Sequence, residues 1–280
     1  MSHYLGREWG LRDGRDVSDL ACHPCAILSD GSFGVFVKYG TGPDAERQFE
    51  IEQASLALLS RNAGVLVPTS LGVVSVPDGT LFVMEALQPT HRGPQEWREI
   101  GRTLARIHRV ASDSCGFPMD TYFGPLLQDN AATGDWGSFY AERRLRPFLR
   151  LAVDSGNIPR RVATRVESVI NRLPELVGPK PTPSLLHGDA QQNNFISTVE
   201  GTYVIDPAIY YGNREVDLAC VDYFQPVPDA VFDGYREELP IPQGFSERRD
   251  LWRIPGYLAC VAVEGAACLG RLIDALEPYT

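Results

Sequence analysis

The sequence predicts an α+β chain of two lobes: an antiparallel β-sheet lobe carrying one helix over residues 1–87, then a mainly helical lobe over residues 88–280. Three observations carry that expectation. Short apolar runs split by turn dipeptides fill the first stretch, a Pro- and Gly-containing connector lies at 88–94, and beyond it apolar residues recur at helical spacing.

Residues 26–28 and 35–38 flank Ser29-Asp30-Gly31-Ser32, and an Asp-Gly between two apolar runs predicts a hairpin. Residues 45–61 then read as a helix, with Phe49, Leu56 and Leu59 at helical spacing and Glu46, Arg47, Glu50 and Gln53 suited to an exposed side. Residues 65–76 and 80–86 read as two strands around Pro77-Asp78-Gly79. After the connector, Trp97, Ile100, Leu104 and Ile107 form a helical stripe, and 137–152 and 160–173 also read as helices. Four prolines make 174–183 irregular. The pieces 185–186, 195–196 and 203–205 are too short for helices and suit small strands around a loop-built site. The tail 248–276 reads as helix.

Composition excludes some functions. The formal net charge of −10 argues against a nucleic-acid or anionic-membrane partner, although a few lysines and a metal ion can hold a small phosphate ligand locally. The N-terminus MSHYLGREWG has no apolar stretch, and the most apolar run, 257–276, is broken by Glu264, Arg271 and Asp274. A cytoplasmic protein with no membrane association, monomeric or homodimeric, is expected. Without an export signal the six cysteines read as thiols. Cys22-His23-Pro24-Cys25 resembles half a zinc ribbon whose second pair is missing.

The segment 185–206, LLHGDAQQNNFISTVEGTYVID, gathers His187, Asp189, Asn194 and Asp206. Phosphoryl transfer needs a carboxylate to orient and accept the proton of an acceptor hydroxyl, and hard oxygen donors to hold Mg²⁺ against the phosphates. Asp189 suits the first role, and Asn194 and Asp206 the second. An Asp followed five residues later by Asn, with a metal-binding Asp after a short strand pair, is the spacing of a kinase catalytic loop. His187, two residues before Asp189, reads as a structural group that fixes the loop.

The stretch 185–189 is similar to the LLHGD of fructosamine kinases and the wider aminoglycoside phosphotransferase group. Residues 206–219, DPAIYYGNREVDLA, resemble the fructosamine-kinase pattern almost residue for residue, and 137–151 resemble its C-lobe helix. The resemblance runs from Val35 onward. It implies the two-lobed protein-kinase-like fold, ATP and Mg²⁺ as cofactors, and a small-molecule hydroxyl acceptor. It also implies that Asp217, in the family-like Asp217-Leu218-Ala219, pins the loop backbone, and that Lys38, at the end of Phe36-Val37-Lys38, contacts the nucleotide phosphates. Its expected partner is Glu52, on the side of Leu56 and Leu59. Glu50 competes, but at 100° per residue it faces nearly the opposite way. Met84, Glu85, Ala86 and Leu87 would form the hinge against which adenine rests. Gln191, Tyr210, Arg214 and Glu215 are candidates for the acceptor pocket, Arg214 and Glu215 equally for a solvated ion pair.

Three departures from the family pattern stand out. Ala190-Gln191-Gln192-Asn193 replaces a Trp-containing loop, no Gly-rich phosphate loop precedes Ile27, and 220–228 lack a Phe-Gly-Gly motif. Some family members carry a redox-sensitive Cys in the phosphate loop, a place that Cys22 or Cys25 could take. The primary expectation is a ketosamine kinase. The alternatives are a kinase of another hydroxylated metabolite or antibiotic, and a nucleotide-binding pseudokinase.

Overall fold

The computed structural model describes residues 1–20 and 23–280. A helical turn, α1 (Ser2–Leu5), precedes β1 (Asp13–Asp16), β2 (Cys25–Ser29), β3 (Gly34–Gly40), α2 (Ala45–Ala63), β4 (Ser70–Val76) and β5 (Gly79–Glu85). The five strands form one antiparallel sheet in the order β1-β2-β3-β5-β4. The β2–β3 turn is closed by Asp30, whose Oδ1 accepts from the backbone N–H of Ser32 at 2.8 Å and of Phe33 at 2.7 Å. α2 lies on the sheet through Phe49 and Leu56, which bury themselves against Phe82 and Met84. Sequence periodicity does not reveal β1, because all four of its residues are exposed and only its pairing to β2 defines it. The strand expected from residue 65 starts at Ser70. Residues before it turn toward the second lobe, where Leu66 bridges Tyr203.

The second lobe contains α3 (Pro94–His108), β6 (Thr121–Phe123), β7 (Leu126–Gln128), α4 (Trp136–Tyr140), a π-helical turn at Ala141–Leu145, α5 (Arg146–Asp154), α6 (Arg160–Asn171) and α7 (Leu173–Leu176). It continues with β8 (Ser184–Leu186), β9 (Phe195–Thr198), β10 (Gly201–Val204), β11 (Tyr210–Gly212), α8 (Glu215–Cys220), α9 (Ala230–Glu238), α10 (Phe245–Glu264) and α11 (Leu269–Leu276). One large apolar core joins these helices, built around Ile100, Leu104, Phe139, Leu186, Leu258 and Leu272. Two small antiparallel pairs, β8 with β11 and β9 with β10, lie on it. Their ends carry the polar residues singled out above.

Three expectations change. The irregular stretch after Leu173 begins with the turn α7, because Pro174 sits in a first helical turn, where a missing N–H costs nothing. The tail is two helices, broken at Gly265 with φ +77°. The chain folds back there and joins Cys260 to Cys268 as a disulfide, where the sequence reads thiols. Cys115 and Cys220 remain thiols. No helix among the described residues is long and apolar enough to cross a membrane.

Candidate active site

The segment after β8 is held from beneath. Asp217 of α8 is completely buried, and its carboxylate accepts from the backbone N–H of His187 at 2.7 Å and of Gly188 at 3.0 Å. Its Oδ2 also lies 3.1 Å from Nε2 of His108, whose Nδ1 meets the Tyr235 hydroxyl at 2.9 Å. His187 is buried too. Its Nδ1 accepts from the N–H of Asp189 at 3.2 Å, so Nε2 carries the proton and donates to the Ile205 carbonyl at 2.9 Å. Only glycine fits between them, since a Cβ on Gly188 would lie 2.0 Å from the Ala208 carbonyl oxygen and its φ is +82°.

That platform presents Asp189 to the cleft. Gln191 Nε2 donates to Asp189 Oδ2 at 3.3 Å, and Asn194 Nδ2 donates to the same oxygen at 3.1 Å and to the Asp189 carbonyl at 2.7 Å. Burial pushes the Asp189 carboxyl up, with help from Asp206 and against the hydrogen bonds of Gln191 and Asn194, to about 7. A carboxylate poised there suits proton transfer.

Asp206 follows β10 and is the only non-glycine residue with positive φ, 54°, among the described residues. Such strain persists where neighbours over-determine it. Here the neighbour is Lys38, on β3 of the other lobe. Its Nζ donates to Glu52 Oε1 at 2.6 Å and to Asp206 Oδ1. Burial alone would push the Lys38 ammonium down, but the two carboxylates outweigh it and hold its pKa above the ordinary lysine value. For Asp206, burial would raise the pKa and Lys38 outweighs that, lowering it. Glu50 is exposed and takes no part.

Two adjoining cavities open at this junction. One, of about 420 Å³, is lined by Lys38, Glu52, Asp189, Asn194 and Asp206. The other, of about 470 Å³, is more apolar and is lined by Ile27, Phe36, Met84, Ala86, Leu87 and Ile196 among others. Asp19, Asn193, Ile205 and Asp206 line both. In the hinge, Glu85 N–H donates to Thr69 O and Ala86 N–H to Gly34 O, each within 3.0 Å. Leu87 is the first hinge residue whose N–H has no acceptor among the described residues. Asn194 and Asp206 offer hard oxygen donors at one side of the first cavity, a donor set that fits Mg²⁺.

A model of the family described as fructosamine kinase matches residues 1–271. The chain belongs to the fructosamine kinase family. A relative named "Probable ketoamine kinase" from Klebsiella aerogenes is 35% identical over 207 residues, which cover 74% of this chain and 71% of that one. One from Synechocystis is 30% identical over 258 residues, covering 91% and 85%. Among solved structures, a Thermobifida fusca protein with a provisional fructosamine-3-kinase name superposes with TM-score 0.84 at 30% identity, over 96% of this chain and 94% of that one. An aminoglycoside phosphotransferase, APH(4)-Ia, shares the fold at TM-score 0.64 and 13% identity, over 99% of this chain and 97% of that one. This family member is therefore a small-molecule kinase, a phosphotransferase with an alcohol group as acceptor, with the two-lobed protein-kinase-like fold.

Not every expected residue reaches the cleft of this kinase. Gln191 does. Tyr210 does not: it is 2% exposed, covered by the Arg144 guanidinium at 4.0 Å and stacked on Phe139. Glu215 lies in the interior of the helical lobe, 1% exposed, where it accepts from Nε and Nη2 of Arg248 at 2.9 and 2.6 Å and from the indole N–H of Trp252 at 2.7 Å. Arg214 donates to the Pro240 carbonyl instead of pairing with Glu215. Cys22 lies outside the described residues, and Cys25 is buried in β2, its thiol donating to the His23 carbonyl. Conversely, His23, Gln48, Tyr122, Phe224 and Glu264 line the cavity that holds Lys38 and Asp189, and sequence reasoning missed them in that place. They come from five separate stretches, and no local spacing unites them.

Proposed function

We propose that this chain is an ATP- and Mg²⁺-dependent kinase that transfers the γ-phosphoryl group to a hydroxyl of a ketosamine, a fructosamine or ribulosamine. The observation that carries the reading is the junction at Lys38. One ammonium joins Glu52 of the sheet lobe to Asp206 of the helical lobe, at the place where an apolar cavity sized for a base meets a polar cavity holding Asp189. The relatives named as ketoamine kinases support the acceptor class. A related aminoglycoside phosphotransferase described in complex with ADP and hygromycin B supports the nucleotide.

In this reading Asp189 orients the acceptor hydroxyl and takes its proton. Lys38, held by Glu52, grips the α- and β-phosphates. Asn194 and Asp206 hold Mg²⁺, which neutralises charge on the phosphate oxygens. The test is ATP consumption with Mg²⁺, with and without fructosyl-lysine. Ketosamine-dependent turnover that falls by a factor of about 10² to 10⁴ in Asp189→Ala is expected. Asp206→Ala should abolish turnover, and near-normal rates in either variant overturn the role given to that residue.

A second reading, phosphorylation of another hydroxylated metabolite or an antibiotic, rests on Gln191. It places a polar amide against Asp189, and Ala190 beside it is buried. Inertness toward ketosamines with intact nucleotide binding would favour it.

A further inference from the structure

The loop 17–24, between β1 and β2, borders the catalytic cavity through Asp19 and His23. It has no glycine, and several of its backbone donors are committed elsewhere. The N–H of Val17 goes to the Cys25 carbonyl, that of Ser18 to Asp16 Oδ1, and that of Cys25 to Ser18 Oγ. Pro24 has no N–H at all. These four positions therefore offer no backbone cradle to an anion.

His23 offers a donor in their place. Gln48 Nε2, on α2, lies 3.0 Å from the Gly124 carbonyl oxygen in the β6–β7 turn of the other lobe, and 3.0 Å from Nε2 of His23. A carbonyl oxygen only accepts, so the Gln48 atom facing it is the amide nitrogen. That nitrogen only donates, so Nε2 of His23 must accept, and the imidazole proton sits on Nδ1. Burial and the Lys38 ammonium both push the imidazole pKa down, against Asp206, which agrees with a neutral ring. Edge contact with Phe49, at 5.3 Å between ring centres, fixes the ring plane. Nδ1–H meets no acceptor among the described residues, and the side chain borders the cavity that also holds Lys38 and Asp189.

We propose that His23 is a catalytic residue that donates a hydrogen bond from Nδ1 to the terminal phosphoryl group of the nucleotide, with Gln48 as the positioning residue that sets its tautomer. The proposal rests on the nucleotide-dependent kinase reading above. Because Gln48 also holds the Gly124 carbonyl, the donor is aligned when the β6–β7 turn is docked on α2. That couples its placement to closure of the two lobes.

The test is calorimetric binding of ADP and of the imido analogue of ATP, both with Mg²⁺, and needs no acceptor. A hydrogen bond to a charged group predicts that His23→Ala weakens the analogue by about 10-fold or more and ADP by less than about twofold. Retained ADP affinity also shows an intact fold. His23→Asn, whose amide nitrogen overlies Nδ1, should recover analogue affinity. His23→Gln, whose nitrogen overlies Nε2, should not. Gln48→Leu should shift analogue affinity in the same direction as His23→Ala, by a smaller factor. Equal loss for both nucleotides, no loss for either, or rescue by Gln rather than Asn would overturn the proposal. Failure of the wild-type protein to bind either nucleotide would overturn the kinase reading itself, and the proposal with it.

Discussion

The two loops that meet at the cleft are built in opposite ways. The catalytic segment 187–194 rests on completely buried groups: Asp217 holds two backbone N–H groups, His108 holds Asp217, and Tyr235 holds His108. Among the described residues, the loop 17–24 has no such foundation. It is closed by Ser18, which bonds Asp16 at 2.6 Å and the Cys25 N–H at 3.0 Å at the surface, and by the contacts of His23 with Gln48 and Phe49. The difference follows from the task. Groups that must meet the reacting atoms in fixed geometry need a preorganised support, because each misaligned dipole must otherwise reorganise during reaction. In the reading proposed above, the described residues of 17–24 border the nucleotide and not the reacting atoms of the acceptor, where no such support is required.

The comparison breaks if Asp217 can be removed cheaply. Asp217→Ala leaves two backbone N–H groups and Nε2 of His108 without their partner in the interior. Breaking a buried charged network from one side costs about 3–5 kcal/mol. A large fall in the thermal unfolding midpoint is expected, together with loss of turnover. Asp217→Asn keeps one acceptor oxygen and should fall between the two. A midpoint within about 2 °C of wild type for Asp217→Ala would show that the platform is not what holds the segment.

Asp189 sharpens the contrast on the functional side of the same platform. Its pKa is raised from the ordinary carboxylate range to about 7 by burial. A carboxyl whose folded pKa is raised contributes stability that is fully present below its unfolded pKa and lost as pH rises through the folded value. Wild type should therefore lose stability relative to Asp189→Asn between about pH 4 and pH 7, and the variant should have the higher unfolding midpoint at pH 8. In the role proposed for it Asp189 acts when ionised, so kcat/KM of the wild-type enzyme should rise with pH through about 7 and then level. Equal midpoints across that range would mean that Asp189 is solvated and not tuned.

The same contrast explains what could be read from the sequence. His187, Asp189, Asn194 and Asp206 were legible as a group because phosphoryl transfer calls for particular residue types at short, fixed spacing, and Asp217 was legible through the resemblance of its stretch to the family pattern. The choice of Glu52 over Glu50 was legible because helical geometry separates adjacent faces. β1 was not, since an exposed edge strand carries no apolar alternation. Glu215 illustrates the converse. Its neighbours in sequence match a pattern associated with the site, but Arg248 and Trp252 lie more than 30 residues away, and only tertiary packing shows that they claim it. His23 and Gln48 were invisible as a pair for the same reason. They are 25 positions apart and meet only through the packing of α2 against His23.

Ser18 gives the smallest expected effect and the closest test of the looser loop. Its hydroxyl replaces a backbone bond at the mouth of the loop, donating to Asp16 and accepting from Cys25. Both partners lie near solvent or at a strand end, so water can take over part of what Ser18→Ala removes. The loss of stability should be about 0.5–1.5 kcal/mol, the ordinary net contribution of one hydrogen bond. Its functional mark should be a KM for ATP raised about two- to threefold with kcat little changed. Removing a support of the covering loop weakens the hold on the nucleotide, yet leaves the Asp217 platform and Asp189 where they are. A drop in kcat as large as that of Asp217→Ala would mean that both loops are equally committed to the reacting geometry, and that the division of labour between them is wrong.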